Sequence, residues 1–187
     1  MKEDKKFKVA VLVGSLRKDS LSLKMAKSLI GIAPKVLDLE ITDIALPMYN
    51  EDLETDTPPK EWQRFRKKIK QANAVLFITP EYNRSVPAVL KNAVDMGSAP
   101  DDKNVFDGRP AGIISLSPGK MGAFGANHHL RQSLVFLNMP TMQQPEAYIS
   151  GSESLFDVNG NITNDSTRNY LINFLDAFAD WIKLHSK

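Results

Sequence analysis

The chain reads Phe7-Lys-Val-Ala-Val-Leu-Val13 and continues as Gly14-Ser-Leu-Arg-Lys-Asp19. The first stretch is a short apolar run rich in β-branched residues, which is typical of a strand that is buried on both faces. The second is a polar turn, and a helical pattern begins at Ser20. The apolar positions of that helix are Leu21, Met25, Leu29 and Ile30. A buried strand, a turn and a helix in this order are typical of an α/β domain.

Strands and helices alternate over the rest of the chain. Further strands are predicted over 36–40, 74–79, 111–116 and 146–150, and loops are predicted at 42–59 and 118–125. The predicted helices are marked by Trp62, Phe65, Ile69 and Ala72; by residues 87–96; by Leu130, Leu134 and Leu137; and, from about Ser166, by Leu171, Phe174, Phe178 and Trp181. This alternation predicts a parallel sheet of about five strands with helices on both faces.

Composition and charge exclude several classes of protein. The 187 residues are 42% hydrophobic and 25% charged, with a formal net charge of +2. These values argue against a disordered chain or a nucleic-acid partner. The apolar run over 9–13 is too short for a signal peptide or a membrane span. Cysteine is absent, which excludes disulfides, thiolate nucleophiles and Cys-ligated metals. We expect one domain over 1–187 that works in the cytoplasm without a membrane partner.

Three loops follow the carboxyl ends of predicted strands, at 14–22, 79–85 and 115–122. In open α/β sheets, ligands bind outside the carboxyl ends of the strands, where the strand order reverses. The loops are far apart in sequence, but a parallel sheet brings them to one edge. We therefore expect them to share a ligand.

The loop at 14–22 carries hydroxyls and cations just before a helix. Ser15, Ser20 and Ser22 offer hydroxyl donors, and Arg17 can make a charge-assisted contact. A phosphate would also meet free N–H groups and the positive end of the helix. The loop has neither a dinucleotide fingerprint nor a P-loop, so it suits one terminal phosphate. An ordinary turn with Ser20 as the N-cap explains the same residues equally well.

The other two loops can approach a flat ring. The segment Thr79-Pro-Glu-Tyr-Asn-Arg-Ser-Val-Pro87 is stiffened by two prolines and offers Tyr82, Asn83 and backbone groups to the edge of a heterocycle. The segment Ser117-Pro-Gly-Lys-Met-Gly122 has two glycines that let the backbone approach a ligand closely. Simpler interpretations are a turn with a surface aromatic for the first and ordinary turn glycines for the second.

No acid–base constellation accompanies these loops. We expect Glu81, the one acid of the second loop, to orient a backbone group or a hydroxyl rather than act as a base. His128 and His129 are adjacent on a predicted helix and point about 100° apart, so they cannot share a metal. We expect them to be surface or subunit-contact residues, and no metal site is predicted. With so few catalytic side chains, a bound cofactor would carry the chemistry.

Four short motifs stand in collinear order between Val9 and about Glu146. They are Gly14-Ser-Leu-Arg-Lys-x-Ser20; Pro80-Glu-Tyr-Asn83 with Ser85-Val-Pro87 and Leu90-Lys-Asn-Ala93; Ser117-x-Gly119-x-x-Gly122; and His129-Leu-Arg-Gln132. Together they resemble the bacterial NADPH-dependent FMN reductase family, in particular its quinone, chromate and azo reductases.

The resemblance implies a flavodoxin-like three-layer α/β sandwich, with a five-stranded parallel sheet in the order 2-1-3-4-5, that binds FMN. Ser15, Arg17 and Ser20 would hold the phosphate, and Ser22 stands where the family usually has Asn. The second loop would border the isoalloxazine, and the third loop would line its pyrimidine side. The full set of expected cofactor-binding residues is Ser15, Arg17, Ser20, Leu21, Ser22, Pro80, Glu81, Tyr82, Asn83, Ser117, Gly119 and Gly122.

The implied activity is an FMN-dependent NAD(P)H oxidoreductase. NADPH or NADH would give a hydride to the flavin N5 and leave, and a quinone would then take its place in a ping-pong reaction. Chromate, azo dyes or free flavin are possible acceptors. No catalytic side chain is predicted, since the flavin carries the chemistry. Separately, we hypothesise that Arg84 attracts anionic acceptors or the nucleotide phosphate.

The resemblance also implies a homodimer or homotetramer. Candidate contact residues are Leu134, Phe136, Met139, His128 and His129, although core packing explains the apolar ones equally well. Two other functions fit the predicted fold. One is a flavodoxin-type electron carrier without NAD(P)H oxidation, and the other is a nucleotide-binding regulatory domain without redox activity.

Overall fold

The computed structural model describes residues 6–100 and 103–186. In these ranges the strands are β1 (Phe7–Val13), β2 (Leu37–Thr42), β3 (Ala74–Thr79), β4 (Ala111–Leu116) and β5 (Ala147–Ile149). The α-helices are α1 (Leu21–Ile32), α2 (Lys60–Gln71), α3 (Ala88–Ser98), α4 (Phe124–Phe136) and α5 (Asp165–His185). Short 3₁₀ helices, Glu51–Leu53 and Ser152–Ser154, lie in two of the connections.

The strands form one parallel sheet in the order β2-β1-β3-β4-β5. The predicted flavodoxin-like fold and strand order are confirmed. Val13 pairs with Ile78, and Thr79 pairs with Ser115, so the carboxyl ends of β1, β3 and β4 lie level with one another. The three loops singled out in the sequence therefore start at the same edge of the sheet.

The two faces of the sheet are buried by different helices. Val9 and Val11 of β1 pack in one apolar cluster with α1 and α5, whereas Ala10 and Leu12 pack in a second cluster with α2, α3 and α4. Because alternate side chains of residues 9–13 enter opposite clusters, this part of β1 has to be apolar. Burial of one such valine or leucine side chain stabilises the fold by about 1.5–3 kcal/mol.

Capping explains where several helices begin. The Ser20 hydroxyl accepts a hydrogen bond from the Leu23 N–H (3.0 Å), and the Asn164 side chain accepts one from the Thr167 N–H (2.8 Å). The sequence pattern predicts a helix over 87–96 with Pro87 in its first turn, whereas in the structure Pro87 directly precedes α3. In the described ranges, no helix is both long and apolar enough to cross a membrane.

Some details of the sequence prediction were wrong. Ile30 is 44% exposed, because the buried stripe of α1 passes through Met25, Ala26 and Leu29 and leaves Ile30 beyond its edge. Trp181 is only partly buried, and its indole N–H donates to the Pro140 carbonyl (2.8 Å). The boundaries of β2 are 37–42 rather than 36–40, and the loop predicted at 118–125 ends earlier, because α4 begins at residue 124.

Candidate functional site

The three loops meet in one cavity of about 240 Å³ at the carboxyl edge of the sheet. Its walls combine hydroxyls, one guanidinium, one carboxylate and one aromatic ring. The lining residues are Ser15, Arg17, Ser20, Leu21, Ser22, Pro80, Glu81, Tyr82, Leu116, Ser117 and Pro118. The structure thus brings together the predicted binding residues of all three loops except Asn83, Gly119 and Gly122.

The start of α1 forms one wall of the cavity. The N–H groups of Leu21 and Ser22 have no protein hydrogen-bond partner in the described residues, and the hydroxyl of Ser22 has none either. The guanidinium of Arg17 forms no ion pair in the same ranges. Free N–H groups, hydroxyls and a cation at the positive end of a helix are the donors that a phosphate needs.

Gly14 lets the first two loops touch. A β-carbon at this position would lie 3.0 Å from the Pro80 Cδ and 3.2 Å from the Thr79 Oγ1, which is tighter than ordinary packing. The absence of a side chain therefore allows the turn after β1 to lie directly against the turn after β3.

The second loop is a tight hairpin. The N–H of Tyr82 donates to the Ser85 carbonyl (3.1 Å) and the N–H of Ser85 donates to the Tyr82 carbonyl (3.0 Å). Asn83 and Arg84 between them both have positive φ, 51° and 63°, which defines a type I′ turn. Asn83 therefore sits at the exposed tip of the hairpin and not along the cavity, and the Arg84 side chain is 78% exposed.

Glu81 points away from solvent and onto the next helix. Its side chain is only 10% exposed, and its Oε2 accepts a hydrogen bond from the N–H of Ala126 (3.0 Å) in the first turn of α4. Its Oε1 lies 3.3 Å from the guanidinium of Arg84. The expectation that Glu81 orients a backbone group is confirmed.

This contact depends on a glycine that the sequence analysis did not single out. A β-carbon at Gly125 would lie 2.8 Å from the Arg84 carbonyl oxygen and 2.9 Å from the Glu81 Oε2. The residue that precedes α4, Ala123, is in the left-handed region and provides no side-chain cap. The carboxylate of Glu81 takes over that capping role from a different loop.

The third loop packs against β5. Gly122 has φ +56°, and a β-carbon there would lie 2.7 Å from the Tyr148 carbonyl carbon. Glycine is therefore needed at this position for both its conformation and its packing. In the described residues, the N–H groups of Gly119, Lys120 and Met121 have no hydrogen-bond partner, so this loop can offer them to a ligand.

A buried polar chain supports the third loop from below. The hydroxyl of Ser115 donates to the Gly122 carbonyl (2.8 Å), and the Asn127 amide donates to the same hydroxyl (3.2 Å). Arg131 then donates to the Asn127 oxygen (2.9 Å). Ser115 and Asn127 are fully buried. Neither residue was predicted from the sequence to support the site, although a serine near the end of an apolar strand was an available signal.

The two neighbouring histidines make separate contacts. His128 Nε2 lies 2.9 Å from the Tyr148 hydroxyl, and His129 Nδ1 lies 3.0 Å from the Ser85 hydroxyl. The Tyr148 hydroxyl donates to Glu146 (2.7 Å). Partial burial, followed by this hydrogen bond and the charge of Glu146, raises the pKa of Tyr148 to about 12. Within the described ranges, no group of three His, Asp or Glu side chains could hold a metal ion.

The doubly wound sheet, together with a cavity open to an anion at the start of the first helix, defines a flavodoxin-like mononucleotide-binding protein. Residues 7–154 match the model of the NADPH-dependent FMN reductase family. A quinone reductase of Pseudomonas putida is 55% identical over 180 residues, with 96% of each chain covered. A 2-hydroxy-1,4-benzoquinone reductase of a Burkholderia species is 43% identical, covering 94% of this chain and 96% of its own.

A solved structure agrees with these sequence matches. FerB, a flavoenzyme NAD(P)H:(acceptor) oxidoreductase from Paracoccus denitrificans, superimposes with a TM-score of 0.90 at 42% identity, covering 96% of this chain and 98% of that one. The chain belongs to the NADPH-dependent FMN reductase family. It is an oxidoreductase that uses FMN and a nicotinamide nucleotide.

Proposed function

We propose that this enzyme passes reducing equivalents from NAD(P)H through FMN to quinones. The proposal rests on one observation, that three loops converge on a single cavity. At the start of α1 this cavity has unpaired N–H groups, hydroxyls and a guanidinium, which can together bind one phosphate. The names of the Pseudomonas and Burkholderia relatives supply the acceptor class, since both are quinone reductases. The order of events that we propose is ping-pong, because donor and acceptor would use the same flavin face.

The first loop holds the phosphate in this proposal. Arg17 supplies the charge-assisted contact, and Ser15 and Ser20 line the same wall. Ser22 replaces the asparagine that is usual in the family, and its unpartnered hydroxyl can still donate to a phosphate oxygen. Leu21 contributes its free backbone N–H. A single monophosphate fits this set of donors, and FMN carries one.

The second and third loops hold the ring system. FMN, when bound, supplies the two-electron chemistry. Pro80, Glu81 and Tyr82 form the wall beside the ring, with the hairpin fixed by Glu81 on α4. For Asn83 we propose a contact through the backbone, since its side chain is at the hairpin tip.

The third loop would stabilise negative charge on the pyrimidine side of the bound ring. Ser117 lines the cavity, and the N–H groups of Gly119, Lys120 and Met121, which are unpaired in the described residues, would be available to that charge at low reorganisation cost. Gly122 fixes the shape of this loop through its positive φ and its contact with β5.

Arg84 supports a proposal about acceptors. Its side chain is 78% exposed, and its one ion pair within the described residues is with Glu81, which lines the cavity, at 3.3 Å. An exposed cation at the mouth of a site attracts anionic substrates. We therefore expect Arg84→Ala to raise the KM for chromate, and an unchanged KM would remove this role.

We also propose that two copies of the chain associate through α3 and α4. A groove of about 570 Å³ runs between these helices, and Val135 and Phe136 beside it are 76% and 89% exposed. The groove carries Lys91 and Asp95, which pair with each other, so its surface charge is balanced. Leu134 and Met139 are buried in the core, which leaves Phe136 as the apolar contact candidate. Phe136→Ser should yield a monomer in sedimentation experiments, and an unchanged mass would contradict the proposal.

We place the enzyme in the cytoplasm, where NAD(P)H is available.

The experiment that tests the function is steady-state turnover of the purified, yellow holoenzyme with NAD(P)H and 1,4-benzoquinone. We expect sustained nucleotide oxidation and parallel double-reciprocal lines when both substrates are varied. Arg17→Gln should lose flavin and turnover together, while Lys35→Gln, in the turn that follows α1, should retain both. Reduction of the flavin without steady turnover would favour the flavodoxin-type electron carrier, and a colourless protein that FMN does not restore would favour a regulatory nucleotide-binding domain.

A further inference from the structure

A second cavity lies on the other side of the first loop. It has a volume of about 230 Å³ and is enclosed by α1 and the turn at 158–161. Lys18 and Asp19 border this cavity, whereas Arg17 and Ser20 border the one described above. The two cavities therefore share a wall that is one loop thick.

This second cavity concentrates positive charge. Lys18, Lys24 and Lys27 line it, and none of them forms an ion pair in the described part of the chain. Asp19 is the one carboxylate among the lining residues. Asp19, together with Asp157 next to the lining residue Val158, offsets only part of the charge of the three lysines, so a net positive charge remains available to an anion.

The position of these lysines is unfavourable for the helix itself. Between Leu21 and Ile32 there is no acidic residue, and Lys24 and Lys27 lie one turn apart on the same face. Like charges at this spacing repel, and a cation near the positive end of a helix is destabilising. A bound anion would relieve both effects.

The opposite wall is a fixed turn with a free amide. The hydroxyl of Ser28 in α1 donates to the Gly160 carbonyl (2.6 Å), and the Asp157 carboxylate accepts from the N–H groups of Asn159 and Asn161 (2.8 Å each). The side chain of Asn159 has no hydrogen-bond partner in the described ranges, so it can donate into the cavity. The turn is thus fixed by its own hydrogen bonds, and the side-chain amide of Asn159 remains available to a ligand.

We propose that this cavity binds the phosphomonoester on the adenosine ribose of NADPH, with Lys18, Lys24 and Lys27 as its cations. The inference rests on the proposed function, because the nicotinamide must reach the flavin on the other side of the first loop. Ammonium groups act as point charges for phosphate and require no planar geometry. NADH lacks this phosphate, so the cavity would select NADPH.

Steady-state kinetics of the holoenzyme with each nucleotide test the selection. For the double variant Lys24→Gln/Lys27→Gln we expect the KM for NADPH to rise about tenfold, since two charge-assisted contacts are lost. The KM for NADH and both kcat values should stay unchanged. Lys35→Gln is the matched control and should alter neither KM. Equal changes for both nucleotides, or no change for either, would overturn the proposal.

A binding experiment decides the point without turnover. By calorimetry on the holoenzyme, 2′-phosphoadenosine 5′-phosphate should bind at least about tenfold more tightly than adenosine 5′-phosphate, and the double variant should lose the difference. Inorganic phosphate that binds as tightly as 2′-phosphoadenosine 5′-phosphate would show a general anion site and overturn the nucleotide assignment. Failure of the proposed function would look different, because the flavin would then be reduced by neither nucleotide while the calorimetric difference could still be measured.

Discussion

The N-termini of α1 and α4 both lie behind the carboxyl edge of the sheet, yet they are completed in different ways. The first N–H groups of α1 are open to a cavity, with Arg17 nearby and no acid in the first turn. The first turn of α4 is occupied by the protein's own carboxylate, Glu81, which accepts from Ala126 at 3.0 Å. The N-terminus of α1 is therefore available to an anionic ligand, whereas the N-terminus of α4 already binds the carboxylate of Glu81.

This difference supports our proposal that the phosphate of FMN binds at the N-terminus of α1 and not at that of α4. Both helix ends carry the partial positive charge that attracts anions. Because Glu81 neutralises the end of α4 and is nearly buried there, a second anion at α4 would meet like charge. The comparison also separates two kinds of variant, since changes at α4 should affect the stability of the protein without flavin, and changes at α1 should mainly affect flavin affinity.

Glu81→Ala should have the largest effect. It leaves the Ala126 N–H without its partner and frees the hairpin from α4, so the free energy of unfolding should fall by about 2–3 kcal/mol. Urea denaturation of the apoprotein measures this loss. Glu81→Gln retains an acceptor and should recover part of it. An apoprotein of unchanged stability would show that Glu81 does not close α4.

Gly125→Ala should come next. The added β-carbon would meet the Arg84 carbonyl oxygen at 2.8 Å, so the hairpin has to move away from α4 at a cost of about 1–3 kcal/mol. The matched control is Gly31→Ala in α1, where a β-carbon would meet nothing within 4 Å and which should be neutral or stabilising. Equal melting temperatures for Gly125→Ala and the wild-type apoprotein would contradict the assigned contact.

Ser20→Ala tests the α1 end and should have a smaller effect on stability. The variant removes the hydrogen bond from the Leu23 N–H, which should cost about 1 kcal/mol of unfolding free energy. It also removes a hydroxyl from the cavity wall, so flavin affinity should fall as well. A loss of stability without a change in affinity would confine Ser20 to its capping role.

The smallest effect is expected for Tyr148→Phe in β5, the strand against which the third loop packs. The pKa of Tyr148 is raised to about 12 from an ordinary value of 10.0, so the neutral phenol stabilises the folded state. This contribution is fully present below pH 10 and is lost as the pH rises towards 12. In Tyr148→Phe, the decline in melting temperature over this window should be shallower. Tyr82→Phe, at the exposed hairpin, is the control and should leave the decline unchanged.

Much of the fold could be predicted from the sequence, because the central strands are apolar runs, β2 alternates apolar and polar residues, and the helices have apolar stripes. Burial on both faces forces that pattern on β1 and β3. The prediction failed at Ile30, which is exposed although its neighbour in the helix, Leu29, is buried. It also failed at the start of α4, which depends on Glu81, a residue more than 40 positions away in sequence.

The site could be predicted in part, because a parallel sheet brings the three loops to one edge. Their residues could therefore be grouped from the sequence alone. The side chain of Asn83 could not be placed, because its direction depends on the type I′ turn that the hairpin adopts. The supporting chain of Ser115, Asn127 and Arg131 was missed, because these residues interact only after α4 has packed on the sheet.

We propose that the open N-terminus of α1 binds the phosphate of FMN. Titration of the apoprotein with FMN and with riboflavin, which lacks the phosphate, tests it most directly. We expect FMN to bind about 100-fold more tightly, a difference of about 2.7 kcal/mol, and Arg17→Gln to remove most of that difference. Equal affinities of the wild-type protein for FMN and riboflavin would contradict the account.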